Sequence, residues 1–270
     1  MIAGGLDGRA QAVAAAFVAA RRDATPFHEF PGDVPRTLED AYAIQRAAIN
    51  QWSDRVAGWK VGRITGDLET DLGVNRFVGP IFAGTIMAAS PSRECRFPVF
   101  ADGFAALEVE IVAVIGRDQP AGQQTFSIAE ARAEVTALHL GIEVAGSPLS
   151  SINDRGPLAS IAGFGNNNGL IIGHRMAGGT SRGDDALAAV ARIDGEVVGE
   201  GTAGRLPGGL WESVAFALGQ ASRLGLPLRA GDVVSTGALT GVHAVQAGQY
   251  CEADFGTDGL LRCITVAGGL

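Results

Sequence analysis

Hydrophobic and polar positions change period along the 270 residues, and each change predicts an element. Residues 7–22, with Ala12 to Ala20 apolar throughout, read as an Ala-rich helix packed on the surface of the molecule. Pro26, Pro31-Gly32 and Pro35 then mark an irregular connection. Thr37-Leu38-Glu39-Asp40 has the form of a helix start, with Thr37 as N-cap and acids in the first turn. Leu38, Ala41, Tyr42, Gln45, Ile49 and Trp52 recur at helical spacing up to Ser53. The first 55 or so residues are therefore expected to form a helical layer or lid.

Beyond it the period shortens towards two. Val56 to Gly62 reads as a short strand, 64–75 as a short helix or loop, Gly79-Pro80 as a turn, and Pro91 to Pro98 as irregular. Leu107 to Ile115 is rich in β-branched and apolar residues and stops at Gly116, which predicts a strand. Ser127-Ile128-Ala129-Glu130 has the capping-box form, so a helix is expected from Ser127 to about Ala137. Leu138 to Val144 alternates as a strand, whereas 145–169 is loop-rich, a length that usually carries function. Leu170–Gly173 resumes a strand. Ala188–Ile193 and Glu196–Glu200 flank Asp194-Gly195 as a hairpin. Leu210 to Leu224 is an amphipathic helix, and the last forty residues are a run of strands.

Side-chain parity turns this pattern into chemistry. On a strand, residues two apart share a face, so Glu108 and Glu110 stand side by side, continued by Val112 and Val114. Away from water, two such carboxylates repel and resist ionisation unless a cation sits between them. Glu143 stands on the next strand beside Gly141 and Ala145, small neighbours that leave space for a ligand or metal. His139 shares that face and reads as a satisfied polar residue. Lys60 lies between Gly58 and Gly62 on one strand face, an arrangement that leaves room around its ammonium group. Three carboxylates without cysteine or histidine ligands describe a hard-cation site, suited to Mg²⁺ or Mn²⁺. With a lysine nearby, they point to reactions through an enolate of a 2-oxo acid.

Composition narrows the classes. Glycine fills 39 of the 270 positions, about twice the ordinary share of ≈7%, as a β-rich chain with many turns requires. Hydrophobic content of 47% with 19% charged residues describes a soluble globular protein. The net charge of −8 argues against a nucleic-acid partner. Cys95, Cys251 and Cys263 lack C-x-x-C spacing and fit a reducing compartment. No apolar run approaches a membrane span, and Arg21-Arg22-Asp23 follows the apolar N-terminal run instead of a cleavage site, so a cytoplasmic location is expected. No internal repeat, P-loop, dinucleotide fingerprint or nucleophile elbow is present.

Four short motifs in order, Gly58-Trp59-Lys60-Val61-Gly62, Leu107-Glu108-Val109-Glu110-Ile111, Gly141-Ile142-Glu143-Val144 and Ala230 to Leu239, carry a resemblance. With Asp40 to Gln45 and Leu72-Gly73-Val74, the chain from about Asp40 to Val266 resembles the 2-keto-4-pentenoate hydratase / 4-oxalocrotonate decarboxylase family of the fumarylacetoacetate hydrolase superfamily. The resemblance implies an α+β fold, a mixed β-roll core of the fumarylacetoacetate hydrolase type with a helical N-terminal segment (1–55) and a β-rich catalytic domain (56–270). It implies Mg²⁺ or Mn²⁺ held by Glu108, Glu110 and Glu143, an active-site Lys60, and substrate contacts from Lys60, Asn167 and Thr236. It further implies a homo-oligomer, or a mixed complex with a related decarboxylase or hydratase, acting on a small 2-oxo or dienoate acid in aromatic-compound catabolism. The implied activity is a hydratase. Alternatives are a decarboxylase, a C–C bond hydrolase, and a non-catalytic partner subunit. Three departures stand out. Asn75-Arg76-Phe77-Val78 replaces a segment that carries an Asp in the family. Val144-Ala145-Gly146-Ser147 replaces Val-Asp-Ser-Arg, and Ala162-Gly163-Phe164-Gly165-Asn166 replaces Ala-Asp-Asn-Ala-Ser.

Overall fold

The computed structural model describes residues 3–90 and 94–268; Pro91, expected in an irregular stretch, lies outside them. Helix α1 (Ala3–Arg22) buries Val13, Ala14, Phe17, Val18 and Arg21, one stripe at helical spacing. Phe27 and Phe30 of the following connection meet Phe17 edge-on, with ring centres 5.3 and 5.7 Å away. Helix α2 (Leu38–Gln51) starts where expected, the Thr37 hydroxyl accepting the Asp40 N–H at 3.1 Å.

Strand β1 (Val56–Arg63), helix α3 (Asp67–Leu72), strand β2 (Arg76–Phe82) and strand β3 (Ile86–Ala88) follow. β2 runs straight through Gly79-Pro80, where the dipeptide predicts a turn. It is an edge strand, so a residue without an N–H is tolerated. Gly79 is glycine because the Phe164 carbonyl comes within 2.4 Å of where a Cβ would stand. Strand β4 (Cys95–Val99) likewise carries Pro98 at a sheet edge.

Strand β5 (Phe104–Ile115) is the longest neighbour of strand β6 (Val135–Ser147), and the two pair antiparallel along nearly their whole length. Helix α4 (Ile128–Glu134) ends earlier than the periodicity predicts, because Val135 already belongs to β6. Its capping box is formed by Ser127 and Glu130. The loop-rich stretch 145–169 is also more ordered than expected. β6 extends to Ser147, helix α5 (Pro157–Ala162) starts on a proline, and strand β7 (Asn167–Arg175) begins at Asn167.

The chain ends with strands β8 (Ala188–Ile193) and β9 (Glu196–Thr202), helix α6 (Gly209–Arg223), and strands β10 (Val233–Ser235), β11 (Val242–Ala244), β12 (Tyr250–Asp254) and β13 (Leu260–Ala267). Among the described residues these form a mixed sheet ordered β2-β1-β10-β5-β6-β7-β3, with β11 also on β5, and a second sheet ordered β4-β13-β12-β8-β9. The fold is thus α+β, two mixed sheets with helices packed on them.

One face of the larger sheet enters the main core through Trp59, Val61, Val109, Ile111, Leu140 and Ile142, packed with α1, α2, α6 and the second sheet. The opposite face carries a small apolar cluster of Ile81, Val112, Leu170 and Val233. Residues of even number on β5 point to that second face, and the charged positions of the sequence analysis join it. No described helix is long and apolar enough to cross a membrane.

Candidate metal centre

Register places the acidic residues. Glu108 on β5 stands opposite Glu143 on β6, and Glu110 opposite Gly141, so all three carboxylates share one face. β10 lies between β1 and β5, pairing Ser235 with both Lys60 and Val112, which sets Lys60 on the same face. One carboxylate oxygen from each of Glu108, Glu110 and Glu143 lies within 4.8 Å of the other two. Glu110 and Glu143 are fully buried and Glu108 is 6% exposed. Lys60 Nζ stands 3.5 Å from Glu143 Oε1 and 3.9 Å from Glu108 Oε2.

The groups around the carboxylates satisfy them only in part. Ser235 Oγ donates to Glu110 Oε2 at 2.6 Å and the Gly237 N–H donates to the same oxygen at 2.8 Å. Asn167 Nδ2 donates to Glu143 Oε1 at 3.0 Å. Glu110 Oε1 and Glu143 Oε2 are buried and have no hydrogen-bond partner. One lysine faces three carboxylates, so ionisation of all three leaves two negative charges in excess in a dry site.

The titration behaviour follows. Burial, then the neighbouring Glu108 carboxylate, push Glu110 up to about 7, against the opposing pull of Lys60, Ser235 and Gly237. Burial also holds Glu143 well above the usual carboxylate range, and Lys60 and Asn167 offset this only partly. For Lys60, burial works to lower the pKa, but Glu108, Glu143 and Glu110 together outweigh it and the net shift is upward. The lysine is an ammonium ion at neutral pH.

A divalent cation fits this donor set. Two buried, unpartnered carboxylate oxygens and a third acidic side chain form an all-oxygen cluster with excess negative charge, the chemistry that hard cations require. Glu108, Glu110 and Glu143 are the residues that would hold it.

The space predicted beside the small residues is filled by protein. A Cβ at Gly58 would meet the Val233 carbonyl at 2.4 Å, one at Gly62 the Phe77 ring at 2.2 Å, and one at Gly141 the Val112 side chain at 2.5 Å. These glycines serve close packing. Phe77, where the resemblance led one to expect an acid nearby, lies with its ring centre 5.7 Å from Lys60 Nζ. His139 is satisfied, its Nδ1 lying 2.9 Å from the Gly173 carbonyl.

Asn167 joins the cluster through its amide. Thr236 is fully buried and its hydroxyl donates to the Ile111 carbonyl at 2.9 Å, while its neighbour Ser235 turns to Glu110. Ser235 and the Gly237 N–H were not anticipated from the sequence; the alternation Val233-Val234-Ser235 puts Ser235 with Val233, but only the pairing with β1 and β5 reveals which face that is.

The profile of the fumarylacetoacetate (FAA) hydrolase C-terminal family matches residues 76–266. A 2-keto-4-pentenoate hydratase of Burkholderia vietnamiensis (strain G4 / LMG 22486) is 30% identical over 213 residues, covering 77% of this chain and 78% of the relative. Among solved structures, 4-oxalocrotonate decarboxylase from Pseudomonas putida G7, complexed with magnesium and adipate, superposes with a TM-score of 0.79 at 20% identity, covering 96% of this chain and 98% of that one. Fumarylpyruvate hydrolase from Pseudomonas aeruginosa, in complex with Mn²⁺ and pyruvate, gives 0.56 at 21% identity, covering 90% and 100%. At these identities the two structures speak for the fold alone.

Proposed function

The chain belongs to the fumarylacetoacetate hydrolase family, and from that premise we propose that it is a divalent-metal-dependent lyase that hydrates a 2-hydroxydienoate or 2-oxo acid. The observation that carries this reading is the convergence of Glu108, Glu110 and Glu143 around unpartnered oxygens beside a buried lysine. A hydratase at 30% identity supports it, and two proteins of this fold have been solved in complex with magnesium and with Mn²⁺. The ion is Mg²⁺ or Mn²⁺. Held by Glu108, Glu110 and Glu143, such a cation would supply positive charge to offset negative charge developing on the substrate's 2-oxo oxygen.

The remaining roles fall to the chain itself. Lys60, kept protonated by its acidic neighbours, binds the substrate carboxylate and gives a proton rather than taking one. Ser235 and the Gly237 N–H fix Glu110, and Asn167 fixes Glu143, so the carboxylates keep their orientation. The Phe77 ring keeps water from one side of Lys60. Hydration then adds one water across the conjugated double bond, the hydroxyl to one carbon and the proton to the other. A second reading, decarboxylation of a vinylogous 2-oxo diacid after the same first step, draws on the 0.79 TM-score of the decarboxylase.

Oxalate mimics the planar 2-oxo carboxylate edge and tests the site. It is expected to bind with Mg²⁺ or Mn²⁺ present and not to Glu110→Ala; binding that needs neither ion nor Glu110 would overturn the proposal. A panel of dienoates separates the activities. Solvent oxygen entering the product without CO₂ release supports the hydratase, CO₂ release supports the decarboxylase, and absence of turnover points to a partner subunit.

A further inference from the structure

The three cysteines of the chain are scattered in sequence, yet the second sheet sets them in one row, away from the sheet that carries the carboxylates. Cys263 on β13 pairs with Cys95 on β4 and, across its other edge, with Cys251 on β12. Residues paired across neighbouring strands share a face, so the three thiols stand side by side with Cys263 in the middle, and Ile193 on β8 continues the row. Such neighbours have Cα atoms about 4.5–5.5 Å apart, inside the roughly 4.4–6.8 Å that a disulfide spans. Cys263 and Cys251 are 0% and 1% exposed, whereas Cys95, at the start of the edge strand, is partly exposed; all three are free thiols. Cys251 and Cys263 are hydrogen-bonded to each other. That bond holds the Cys251 thiol below its ordinary range, and the same bond, together with burial, holds Cys263 above it. The row therefore has an accessible end, a central sulfur, and an inner thiol that ionises more readily than its neighbour.

We propose that this row is an oxidation site, a thiol relay that meets a peroxide at Cys95 and stores the oxidation as a buried Cys251–Cys263 disulfide. Cys95 Sγ attacks one peroxide oxygen and the O–O bond breaks. The sulfur becomes a sulfenic acid, and its thiol proton leaves with the other oxygen as water or an alcohol. Cys263 Sγ then displaces the sulfenic hydroxyl; the Cys95–Cys263 bond forms, and the Cys263 proton departs with the hydroxyl as water. Cys251 Sγ attacks Cys263 from the side opposite Cys95, so the entering and leaving sulfurs are aligned, and its proton passes to the Cys95 sulfur that leaves. Two thiols lose two electrons and two protons in all, and the peroxide takes them up. Returning Cys95 to a thiol spares it from the irreversible sulfonic acid. Thiol reductants restore the row by the reverse path, since Cys95 is the sulfur they reach. A transient disulfide of this kind is compatible with a reducing compartment.

Peptide mapping under non-reducing conditions, after equimolar hydrogen peroxide, tests this on the intact protein and on single cysteine variants. The intact protein should link Cys251 to Cys263 and keep Cys95 open to alkylation. Cys251→Ala should stop at a Cys95–Cys263 disulfide. Cys263→Ala should form no disulfide and hold a sulfenic acid at Cys95, which dimedone traps. Cys95→Ser should slow the inner linkage about tenfold or more, because the peroxide then has no exposed thiol to meet. Absence of any disulfide in the intact protein would overturn the proposal, and so would a Cys251–Cys263 linkage that forms as fast in Cys95→Ser. Should a substitution at either buried cysteine prevent folding, the intact protein and Cys95→Ser, changed at a partly exposed position, decide between these outcomes.

Discussion

Two buried charged regions lie within one side chain of each other, and they handle charge in opposite ways. Arg21, in the last turn of α1, is 3% exposed and forms no ion pair among the described residues. Its Nη1 donates to the Asn167 carbonyl at 2.9 Å and to Asn168 Oδ1 at 3.4 Å, and its Nη2 to the carbonyls of Gly146 and Gly163 at 2.8 and 3.3 Å. The guanidinium lies over the rings of Phe164 and Phe100, 5.1 and 5.5 Å from their centres. Burial draws its pKa down to about 9, which leaves it charged at neutral pH. Fixed neutral dipoles and two aromatic faces thus satisfy both Nη groups of the cation, only Nε being left buried without a partner, and the arginine ties α1 to the junction where β6 ends and β7 begins. The carboxylate cluster is left short of counter-charge as well as of donors: Glu110 Oε1 and Glu143 Oε2 are buried without a donor, and one lysine stands against three carboxylates. A charge whose partners are built into the fold is architecture. Like charges crowded together without enough counter-charge make a candidate site for a cation.

Breaking the satisfied region should cost the most. Arg21→Met keeps much of the stem's packing but strands the carbonyls of Gly146, Gly163 and Asn167 in the interior. The expected loss is about 3–5 kcal/mol of unfolding free energy by urea titration. A loss under about 1 kcal/mol would mean that water reaches those carbonyls, and the contrast between the regions would fail.

Neutralising one member of the unsatisfied region should do the reverse. Glu110 has its folded pKa raised to about 7, above the ≈4.3 of an unfolded glutamate. Its contribution to stability is therefore fully present below about pH 4 and is lost as pH rises through 7. Glu110→Gln removes that penalty. Without metal at pH 8 the variant is expected to be more stable than the parent by about 1–3 kcal/mol, with no gain at pH 4. It should also no longer bind Mg²⁺ or Mn²⁺. A Glu110→Gln protein that is less stable at pH 8 would show the three charges to be at ease as they stand.

The same contrast explains what was legible in the sequence. Glu108 and Glu110 are readable as a pair because the strand period of two forces them onto one face, and the alternation of 138–144 marks Glu143 similarly. That Glu143 stands opposite Glu108 is a matter of register between strands, which local pattern does not encode. Ser235 was hidden for that reason. The glycines mislead because a missing side chain marks close approach without saying what approaches. At Gly62 it is Phe77, and at Gly58 the Val233 carbonyl, rather than a ligand. Arg21 reads in the sequence as half of a basic pair ending an apolar helix. Its signal was there: it falls three and four residues after Val18 and Phe17, on the buried stripe.

Asn167 belongs to both regions, and this permits a smaller, sharper test. Its backbone carbonyl accepts from Arg21 and its side-chain amide donates to Glu143. Asn167→Ala removes only the second contact, so the Arg21 cradle and most of the stability should survive. The amide helps hold the Glu143 carboxyl down against burial; without it that carboxyl rises further. A cation needs the ionised carboxylate, so a higher pKa lets protons compete with the metal up to a higher pH. Loss of one hydrogen bond worth about 0.5–1.5 kcal/mol should weaken Mg²⁺ binding about two- to tenfold near pH 6.5. The gap should narrow as pH rises and the carboxylates ionise in both proteins, which metal titrations between pH 6 and 9 would follow. A weakening that stays constant across that range would make the amide a device for orienting Glu143 instead of tuning it. A fall in stability comparable to that of Arg21→Met would show that the two regions cannot be separated at this residue.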